Sequence, residues 1–244
     1  MDGISSSAAS GMRARMESLE MLANNLANVE TGGFKADREF FSIYTSDDAT
    51  SDPQTGDIPT LPLVQAHWTD LSQGNLIGTA NPLDFAIDGD GLFAVQTQNG
   101  VRYTRNGSVR IGSNGVLTTA DGSPVRAQGG GSIQLQPGLP VELLPDGTVQ
   151  QGGQPVGQLQ VSSFDRGSID KIGANYFVPA EGVQAKQATG AVVQGKLEQS
   201  NVGAAESSVR LVAIMRQFEM LQKALNIGNE LNRKAIEEVA KVAT

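Results

Sequence analysis

The chain has 244 residues, a length that accommodates one large domain or two small ones. Apolar residues make up 39% of it and charged residues 18%, as in a globular protein of low charge density. The net charge of −8 argues against sequence-independent nucleic-acid binding, and the absence of cysteine excludes disulfides, thiolate metal ligands and cysteine nucleophiles.

The first predicted element is an amphipathic helix over residues 4–29. Apolar side chains recur there in steps of three and four, at Ile4, Ala8, Met12, Met16, Leu19, Leu22 or Ala23, Leu26 and Val29. Asn24, Asn25 and Asn28 lie beside this stripe, although asparagine is a poor helix former. The Thr-Gly-Gly of residues 31–33 then predicts a helix stop. No apolar segment typical of a cleavable secretory signal is visible.

The middle of the chain predicts a loop followed by a β-rich body. Residues 46–62 are rich in Pro, Asp and Thr, which predicts a loop or an extended linker. From residue 84 to 195, Asn-Gly and Asp-Gly pairs separate short β-rich segments, and such pairs tolerate positive φ at both central turn positions of a hairpin. The segments are Phe93–Thr97, Val101–Thr104, Val109–Ile111 and Val116–Thr119. We predict short antiparallel strands in a sandwich or an irregular barrel.

The last predicted element is a second amphipathic helix over residues 202–242. Its apolar steps are near 3.5 residues, as in a coiled coil with a stutter at residues 226–229. The stripe comprises Val209, Leu211 or Val212, Ile214, Phe218, Leu221, Leu225, Gly228, Leu231, Ala235, Val239 and Val242. Burying such a stripe is worth on the order of 10 kcal/mol, so both terminal helices need partners. These are either each other, beside the β body, or helices of other chains.

The predicted fold class is α+β. Long N- and C-terminal amphipathic helices are expected to form a coiled-coil core element, with a central all-β, hairpin-rich domain between them in the sequence. The predicted divisions are an N-terminal helix in residues 1–34, an extended linker region in residues 35–83, a β-rich domain in residues 84–195 and a C-terminal coiled-coil helix in residues 196–244.

Side chains that would predict catalysis or metal binding are not grouped in the sequence. A single histidine, His67, cannot build a usual zinc site without cysteine or a second histidine. Asp84, Asp88 and Asp90 superficially suggest a calcium loop, but their spacing is not that of an EF-hand, and a strand and turn are favoured. We therefore expect no catalytic residue, no cofactor and no metal, and a protein that is not an enzyme. No run of about 18 apolar residues predicts a membrane span.

Three stretches resemble the family of bacterial flagellar basal-body rod and hook proteins. LANNLANVETGGFKADREFF at residues 22–41 is similar to the N-terminal signature A-N-N-L-A-N-x-x-T-x-G-F-K. QGNLIGTANPLDFAIDGDGLFAV at residues 73–95 resembles the central pattern, and GKLEQSNV at residues 195–202 resembles the C-terminal block. The departures are Leu92, where phenylalanine is commoner, and Glu-Thr-Gly at residues 30–32 in place of Asn-Thr-Thr.

The resemblance implies a structural subunit of the bacterial flagellar basal-body rod. It implies polymerisation through the terminal helices into the axial drive shaft, in the periplasmic rod of the basal body, with other rod subunits and further copies of this chain as partners. It also implies export without a cleaved signal through the flagellar type III export apparatus, and neither nucleic acid nor a membrane span. The single β body and the Arg-Gln-Phe-Glu of residues 216–219 favour the proximal-rod (F) subunit over the distal-rod (G) subunit.

On the same resemblance, the assembly interface is predicted to lie on the terminal helices and the signature that follows the first helix. Its residues are Leu19, Leu22, Asn24, Asn25, Leu26, Asn28, Val29, Phe34, Ile214, Phe218, Leu221, Leu225 and Leu231. Buried asparagines would fix the register between subunits; the alternative is that they face solvent near a helix end.

Two other classes are compatible with parts of the pattern. A soluble β-rich carbohydrate-binding or enzymatic domain with helical flanks should show an aromatic platform or convergent carboxylates, and only 5% of residues are aromatic. A chaperone-like helix pair would lack the hairpin-dense middle.

Overall fold

A computed structural model describes residues 2–45, 60–173 and 175–242. The chain divides into two compact units, each built from separated parts of the sequence. The helical unit comprises Met1–Leu26, Asp37–Trp68 and Ala204–Thr244, and the β unit comprises Ala27–Ala36 and Thr69–Gly203. The loop predicted at residues 46–62 lies outside the described residues except for its last three, which open a strand.

The described residues form two helices and seventeen strands. The helices are α1 (Asp2–Ala27) and α2 (Ala204–Val242). The strands are β1 (Asp37–Thr45), β2 (Thr60–Thr69), β3 (Leu76–Gly78), β4 (Phe85–Asp88), β5 (Leu92–Thr97), β6 (Gly100–Thr104), β7 (Val109–Ile111), β8 (Leu117–Thr119), β9 (Val141–Leu143), β10 (Thr148–Gln151), β11 (Gln154–Gln158), β12 (Val161–Ser163), β13 (Ile169–Ile172), β14 (Tyr176–Pro179), β15 (Lys186–Gln187), β16 (Ala191–Gln194) and β17 (Lys196–Glu198). Strands β1, β2 and β3 thus lie in the region predicted as an extended linker.

The helical unit contains α1, α2 and the paired strands β1 and β2. Two helical segments meet in a small apolar cluster of Met21, Leu22 and Ile214, with Leu19 and Leu211 packed beside it. A Cβ placed on Gly11 would lie 3.8 Å from Leu221 Cδ1. Because position 11 is near 221 and position 22 is near 214, α1 and α2 run antiparallel where they meet.

The predicted coiled-coil core element is wrong. A coiled coil buries its apolar seam along its whole length. Among the described side chains, the buried cluster that the two helices share is limited to Met21, Leu22 and Ile214, and Val209 and Leu231, which the prediction placed in the seam, are 72% and 61% exposed. One reason is length: α1 has 26 residues and α2 has 39, so at 1.5 Å per residue α1 is about 20 Å shorter. The strand-rich centre agrees with the prediction.

The β unit is built around an antiparallel six-stranded sheet in the order β13-β14-β6-β5-β12-β15. Successive side chains of a strand point to opposite faces, and β5 is buried on both. Phe93 and Val95 join the larger core cluster, while Leu92 and Ala94 join the smaller one. The larger cluster also contains Phe85, Ile87, Val109, Leu117, Val125, Ile133, Leu135, Val141, Val149, Leu159 and Val192. The smaller one is completed by Tyr103, Phe164, Ile169 and Phe177.

The four predicted β segments are confirmed as β5 to β8, to within one residue at each end. β5 and β6 form a hairpin that closes at Thr97 and Gly100, and β7 pairs with β8. Only one residue of the Asn-Gly pair has positive φ in this hairpin. In the β5–β6 turn φ is positive at Gly100 (102°) but not at Asn99, as in a type I turn followed by a glycine bulge.

The pair Asn106-Gly107 does not form a hairpin turn. It links β6 to β7, which belong to different sheets. The Gly107 carbonyl accepts a hydrogen bond of 2.9 Å from Phe85 N, and a Cβ on Gly107 would lie 1.8 Å from Phe85 O. The glycine is therefore required because two backbone segments approach too closely for any side chain.

Candidate assembly interface

Helix α2 presents two apolar faces, and one of them is directed towards α1. This inner face comprises Leu211, Ile214, Phe218, Leu221 and Leu225, which lie within about 80° of one another at 3.6 residues per turn. Ile214 is buried and the other four are half-buried. The inner face contains four of the five α2 residues predicted as an assembly interface, and it is at least partly covered within the chain.

The second face of α2, here called the outer stripe, is exposed. It comprises Val209, Ala213, Met220, Ala224, Ile227 and Leu231, which lie within about 60° of one another on the helix. All six are exposed, and the four larger ones are 58–72% accessible. The sequence prediction included Val209 and Leu231 in a single stripe and missed the others. The signal was present as a second series of three- and four-residue steps.

The predicted asparagines have different environments. Asn25 is buried, and its side chain pairs with both backbone groups of Asp37: Nδ2 donates to Asp37 O at 2.8 Å, and Oδ1 accepts from Asp37 N at 3.0 Å. Asn25 thus closes a contact between α1 and β1 in the same chain. Asn24 is exposed, and Asn28 Oδ1 accepts a hydrogen bond from Thr31 Oγ1 at 3.2 Å.

A carboxylate on β1 adds a polar contact to the helical unit. Glu39 Oε2 accepts a 2.6 Å hydrogen bond from Ser18 Oγ of α1, and Glu39 Oε1 lies 3.4 Å from Arg210 Nη2 of α2. The Glu39 side chain is only 1% exposed. Of the remaining predicted residues on α1 and after it, Leu22 is buried, whereas Leu19, Leu26 and Val29 are half-buried.

Phe34 is fully buried in the β unit. The ammonium of Lys171 lies 3.7 Å from the centroid of the Phe34 ring, and it also donates a 2.8 Å hydrogen bond to the Lys35 carbonyl. Phe34 therefore anchors the N-terminal signature inside its own chain, and its ring is not available at the surface described here.

Three charged side chains meet beside Phe34, and we call them the junction: Lys35, Arg105 and Glu198. All three are buried. Glu198 Oε1 accepts a 2.6 Å hydrogen bond from Lys35 Nζ, and Glu198 Oε2 accepts from Arg105 Nε. Each of the three stretches that carry the family resemblance contributes to this region, or directly contacts it. Sequence reasoning missed the junction because charge pairing between positions 35, 105 and 198 leaves no trace in local spacing.

The loop of Asp88 and Asp90, which superficially suggested a calcium site, binds the guanidinium of Arg105. Arg105 Nη2 donates to the carbonyls of Ile87 at 2.8 Å and Gly89 at 2.6 Å, and Arg105 Nη1 donates to the carbonyl of Gly91. The guanidinium thus occupies the ring of backbone oxygens formed by the Asp-Gly-Asp-Gly turn. Among the described residues, no group of three His, Asp or Glu side chains is placed to hold a metal ion.

Burial has a measurable electrostatic consequence at Lys35. Desolvation lowers the pKa of the Lys35 amine, and the neighbouring Glu198 carboxylate only partly counteracts this effect. The junction carries two cations and one carboxylate. Its second cation, Arg105, is further solvated by backbone carbonyls, which is the usual way to satisfy a buried guanidinium.

The described part of the chain gives no support to a membrane-spanning helix, because neither α1 nor α2 contains a sufficiently hydrophobic stretch. His67 is exposed. The features that stand out are therefore an uncovered apolar face on α2 and a buried junction between separated sequence motifs.

Comparison with known families identifies all three segments. Residues 6–35 match the family described as flagella basal body rod protein, residues 86–154 match the flagellar hook protein FlgE/F/G D1 domain, and residues 193–238 match the flagellar basal body rod FlgEFG protein C-terminal family. These three matches occur in the same order as the three motifs.

Whole-chain relatives agree with these matches. The flagellar basal-body rod protein FlgF of Caulobacter vibrioides is 34% identical over 228 residues, covering 92% of each chain. FlgF of Mesorhizobium japonicum is 35% identical over 87% of each chain. FlgG of Buchnera aphidicola subsp. Schizaphis graminum is 30% identical over 92% of this chain and 95% of its own. The identities favour the F subunit, as the sequence predicted. The chain belongs to the flagellar basal-body rod protein family and is a structural subunit of the rod in the bacterial flagellar basal body.

Proposed function

We propose that this subunit joins its neighbours in the rod through the outer stripe of α2. The single observation that carries the proposal is the exposure of Val209, Met220, Ile227 and Leu231 on one face of a long helix. Apolar surface that is exposed along one face of a helix is typical of interaction sites in soluble proteins. The occupants we propose are other rod subunits, including further copies of this chain.

Burial of the outer stripe against a neighbouring subunit is favoured by the transfer free energy of its apolar side chains. Each large apolar side chain gains roughly 1.5–3 kcal/mol when it is moved from water into an apolar contact. Most of the stability of a helix in a protein comes from such packing and not from its intrinsic propensity. A face on one side of a subunit that meets a different face of the next subunit gives an assembly that need not close, and such assemblies form helical tubes.

The proposal modifies the interface predicted from sequence. Leu22, Ile214 and Phe34 are buried in single units of the chain, and we propose that they support the surface instead of contacting a neighbour. Leu231 remains in the proposed interface as a member of the outer stripe. Asn24, which is exposed at the end of α1, remains a candidate for fixing the register between subunits.

We further propose a purely structural role without catalysis or nucleic-acid binding, and export through the flagellar type III apparatus without a cleaved signal. The structural character of the rod family supports the first part, and the net charge of −8 supports the exclusion of nucleic acid. Membership of the flagellar rod family supports the last part.

The experiment places one charge on the outer stripe. Ile227→Glu is compared with Gln222→Glu, which adds a similar charge at an exposed position of α2 on the opposite side of the helix. We expect Ile227→Glu to abolish incorporation into basal bodies and swimming, because assembly would bury the new carboxylate without a partner. Gln222→Glu should swim normally. The purified variants should have the same helix content as the unmodified chain, since both positions are exposed before assembly.

Normal incorporation and motility of the Ile227→Glu variant would refute the proposed interface. A loss of helix content in the purified Ile227→Glu variant would also count against it, because the residue would then be needed inside the subunit.

A further inference from the structure

We infer that Glu198 is a positioning residue that docks the N-terminal signature, residues 31–36, onto the β unit. The signature then becomes ordered only when the C-terminal block around residues 195–201 is in place. This inference concerns the folding of a single subunit and does not depend on the outer stripe.

Both oxygens of the Glu198 carboxylate are used, and they hold three separate segments. Oε1 accepts hydrogen bonds from Lys35 Nζ at 2.6 Å and from Gly74 N at 2.7 Å. Oε2 accepts from Arg105 Nε. The side chain is fully buried. One carboxylate therefore connects the N-terminal signature, the segment before β3 and the end of β6.

Backbone contacts of the C-terminal block extend this connection. The Glu198 carbonyl accepts a 2.7 Å hydrogen bond from Gly33 N. Asn201 Oδ1 accepts from Ala36 N at 2.7 Å, and Asn201 Nδ2 donates to Asp70 O at 2.7 Å. Asp70 N in turn donates to Ala36 O at 2.8 Å. The signature thus lies between residues of the C-terminal block and the segment before β3.

Glycines allow the close packing of these segments. A Cβ on Gly33 would lie 2.5 Å from the backbone of Arg105 and Asn106, and a Cβ on Gly74 would lie 2.1 Å from Gln199 O. Neither backbone could be displaced without loosening its neighbours. The docked position of the signature is therefore defined by residues that are far apart in the sequence.

The electrostatics make docking conditional on Glu198. Lys35 and Arg105 are both buried, and burying an ammonium group without a counter-charge is strongly unfavourable. Arg105 also has the carbonyls of the Asp-Gly-Asp-Gly turn as partners. Lys35 has, besides Glu198, the Ser72 carbonyl at 2.6 Å. Removing the carboxylate should therefore expel Lys35 and its segment before it affects Arg105.

The consequence is a folding order. Lys35 and Glu198 are separated by 163 residues. The N-terminal signature therefore cannot dock on the β unit until nearly the whole chain is present. While residues 195–201 are missing, the signature stays undocked. The hairpins β5–β6 and β7–β8, in contrast, can form from residues that are close in the sequence.

The test is amide hydrogen exchange of the dilute full-length protein, read by NMR at single residues. We compare the unmodified chain with Glu198→Gln and with Glu142→Gln, an exposed glutamate of β9, as the matched control. In Glu198→Gln, the amides of Gly33, Ala36 and Gly74 should exchange faster together, by about tenfold or more, while Leu117 N remains protected. Glu142→Gln should match the unmodified chain.

A second variant covers the outcome in which Glu198→Gln unfolds the whole β unit. Asn201→Ala removes the bonds to Ala36 N and Asp70 O without leaving a buried charge, so it should accelerate exchange at Gly33 and Ala36 while Leu117 N stays protected. Unchanged exchange at Gly33 and Ala36 in Asn201→Ala would overturn the inference. Acceleration confined to Gly74 in Glu198→Gln would overturn it as well, because only the direct partner of the carboxylate would then respond.

Discussion

The β unit and the helical unit differ in how far each satisfies its own apolar surface. In the β unit, Val95, Leu117, Val149 and Phe177 are fully buried in two contiguous core clusters. Among the described side chains of the helical unit, the apolar cluster has three buried members, while the outer stripe of α2 is 58–72% exposed at its four large residues. The β unit is thus stabilised from within, whereas the described part of the helical unit leaves an apolar face of α2 exposed.

The comparison explains why one chain combines such different parts. A unit whose apolar core is complete in the monomer presents the same surface before and after assembly. Under the proposed interface, a unit with an uncovered apolar face gains further stability on assembly, as a segment does when ordering is coupled to binding. On this proposal, a rod built from such subunits is stabilised by contacts that the isolated subunit does not make.

The largest effect should come from a cavity in the β core. Leu117→Ala should lower the free energy of unfolding of the β unit by about 2–5 kcal/mol, because Leu117 is fully buried in the larger cluster. Ile214→Ala, the matched truncation in the helical unit, should reduce helix content and leave the β transition within about 0.5 kcal/mol. Denaturant unfolding, followed by near-UV and far-UV circular dichroism, distinguishes the transition of the β unit from that of the helical unit. If both variants destabilised the β unit equally, the β unit would not be stabilised independently of the helical unit, which would contradict the comparison.

A smaller effect is expected from filling the close approach at Gly107. Gly107→Ala should cost the β unit about 1–3 kcal/mol or more, because the added Cβ would overlap Phe85 O. Gly78→Ala is the control: a Cβ there meets no atom within 4 Å, so the melting temperature should hardly change. A Gly107→Ala variant as stable as the Gly78→Ala variant would show that the two backbone segments can separate.

Within the helical unit, the test is Asn25→Ala. It removes both hydrogen bonds to Asp37, and each such bond contributes about 0.5–1.5 kcal/mol of stability. We expect faster exchange of the Asp37 amide and a lower melting temperature of the helical signal, with the β unit unaffected. Asn226→Ala, at an exposed asparagine of α2 in the same unit, provides the control. Similar results for the two variants would mean that Asn25 does not hold β1 to α1.

The smallest effect concerns pH, at a polar cluster of the β unit. Asp121 Oδ2 accepts hydrogen bonds from Tyr176 Oη at 2.7 Å and Ser123 Oγ at 3.3 Å, and Asp121 Oδ1 accepts from Thr119 Oγ1. Burial alone would raise the pKa of Asp121, but these hydrogen bonds outweigh it and lower the pKa below its usual value. Burial chiefly raises the pKa of Tyr176 above its usual value.

The signs of these two shifts define a pH window. The stabilisation from Asp121 is present above its unfolded pKa of about 4 and is lost as pH falls through the folded value. The stabilisation from Tyr176 is complete below its unfolded pKa of about 10 and is lost as pH rises towards the folded value. Melting temperatures measured across pH should therefore decline at both ends, and the decline should be shallower in Asp121→Asn at the acid end and in Tyr176→Phe at the alkaline end. Unchanged slopes would exclude this cluster as their cause.

The sequence predicted what depends on local spacing. The two helices and strands β5 to β8 follow from periodicity and from the glycine-containing turns, and the three motifs identified the family. The outer stripe was only partly predicted, because a single path of 3.5-residue steps from Val209 to Ile214 and Leu231 merges two faces of α2. The residues that cover Ile214 could be located only once α1 was seen against it.

Contacts between distant residues could not be predicted. Asn25 pairs with Asp37 through a chain reversal that spacing does not encode, so this contact could not be read beside its predicted interface role. Phe34, another predicted interface residue, is buried beneath Lys171. The junction of Lys35, Arg105 and Glu198 joins positions up to 163 residues apart, and only the folded chain shows that the motifs converge there.

The central claim is tested most directly by the accessibility of Ile227 before and after assembly. Because the chain contains no cysteine, Ile227→Cys provides a single thiol, and Gln222→Cys provides a reference thiol off the stripe. We expect Ile227→Cys to react rapidly with a maleimide in the purified subunit and about tenfold or more slowly in isolated basal bodies, where a neighbour would exclude water from it. Equal reaction rates in the purified subunit and in the rod would contradict the account.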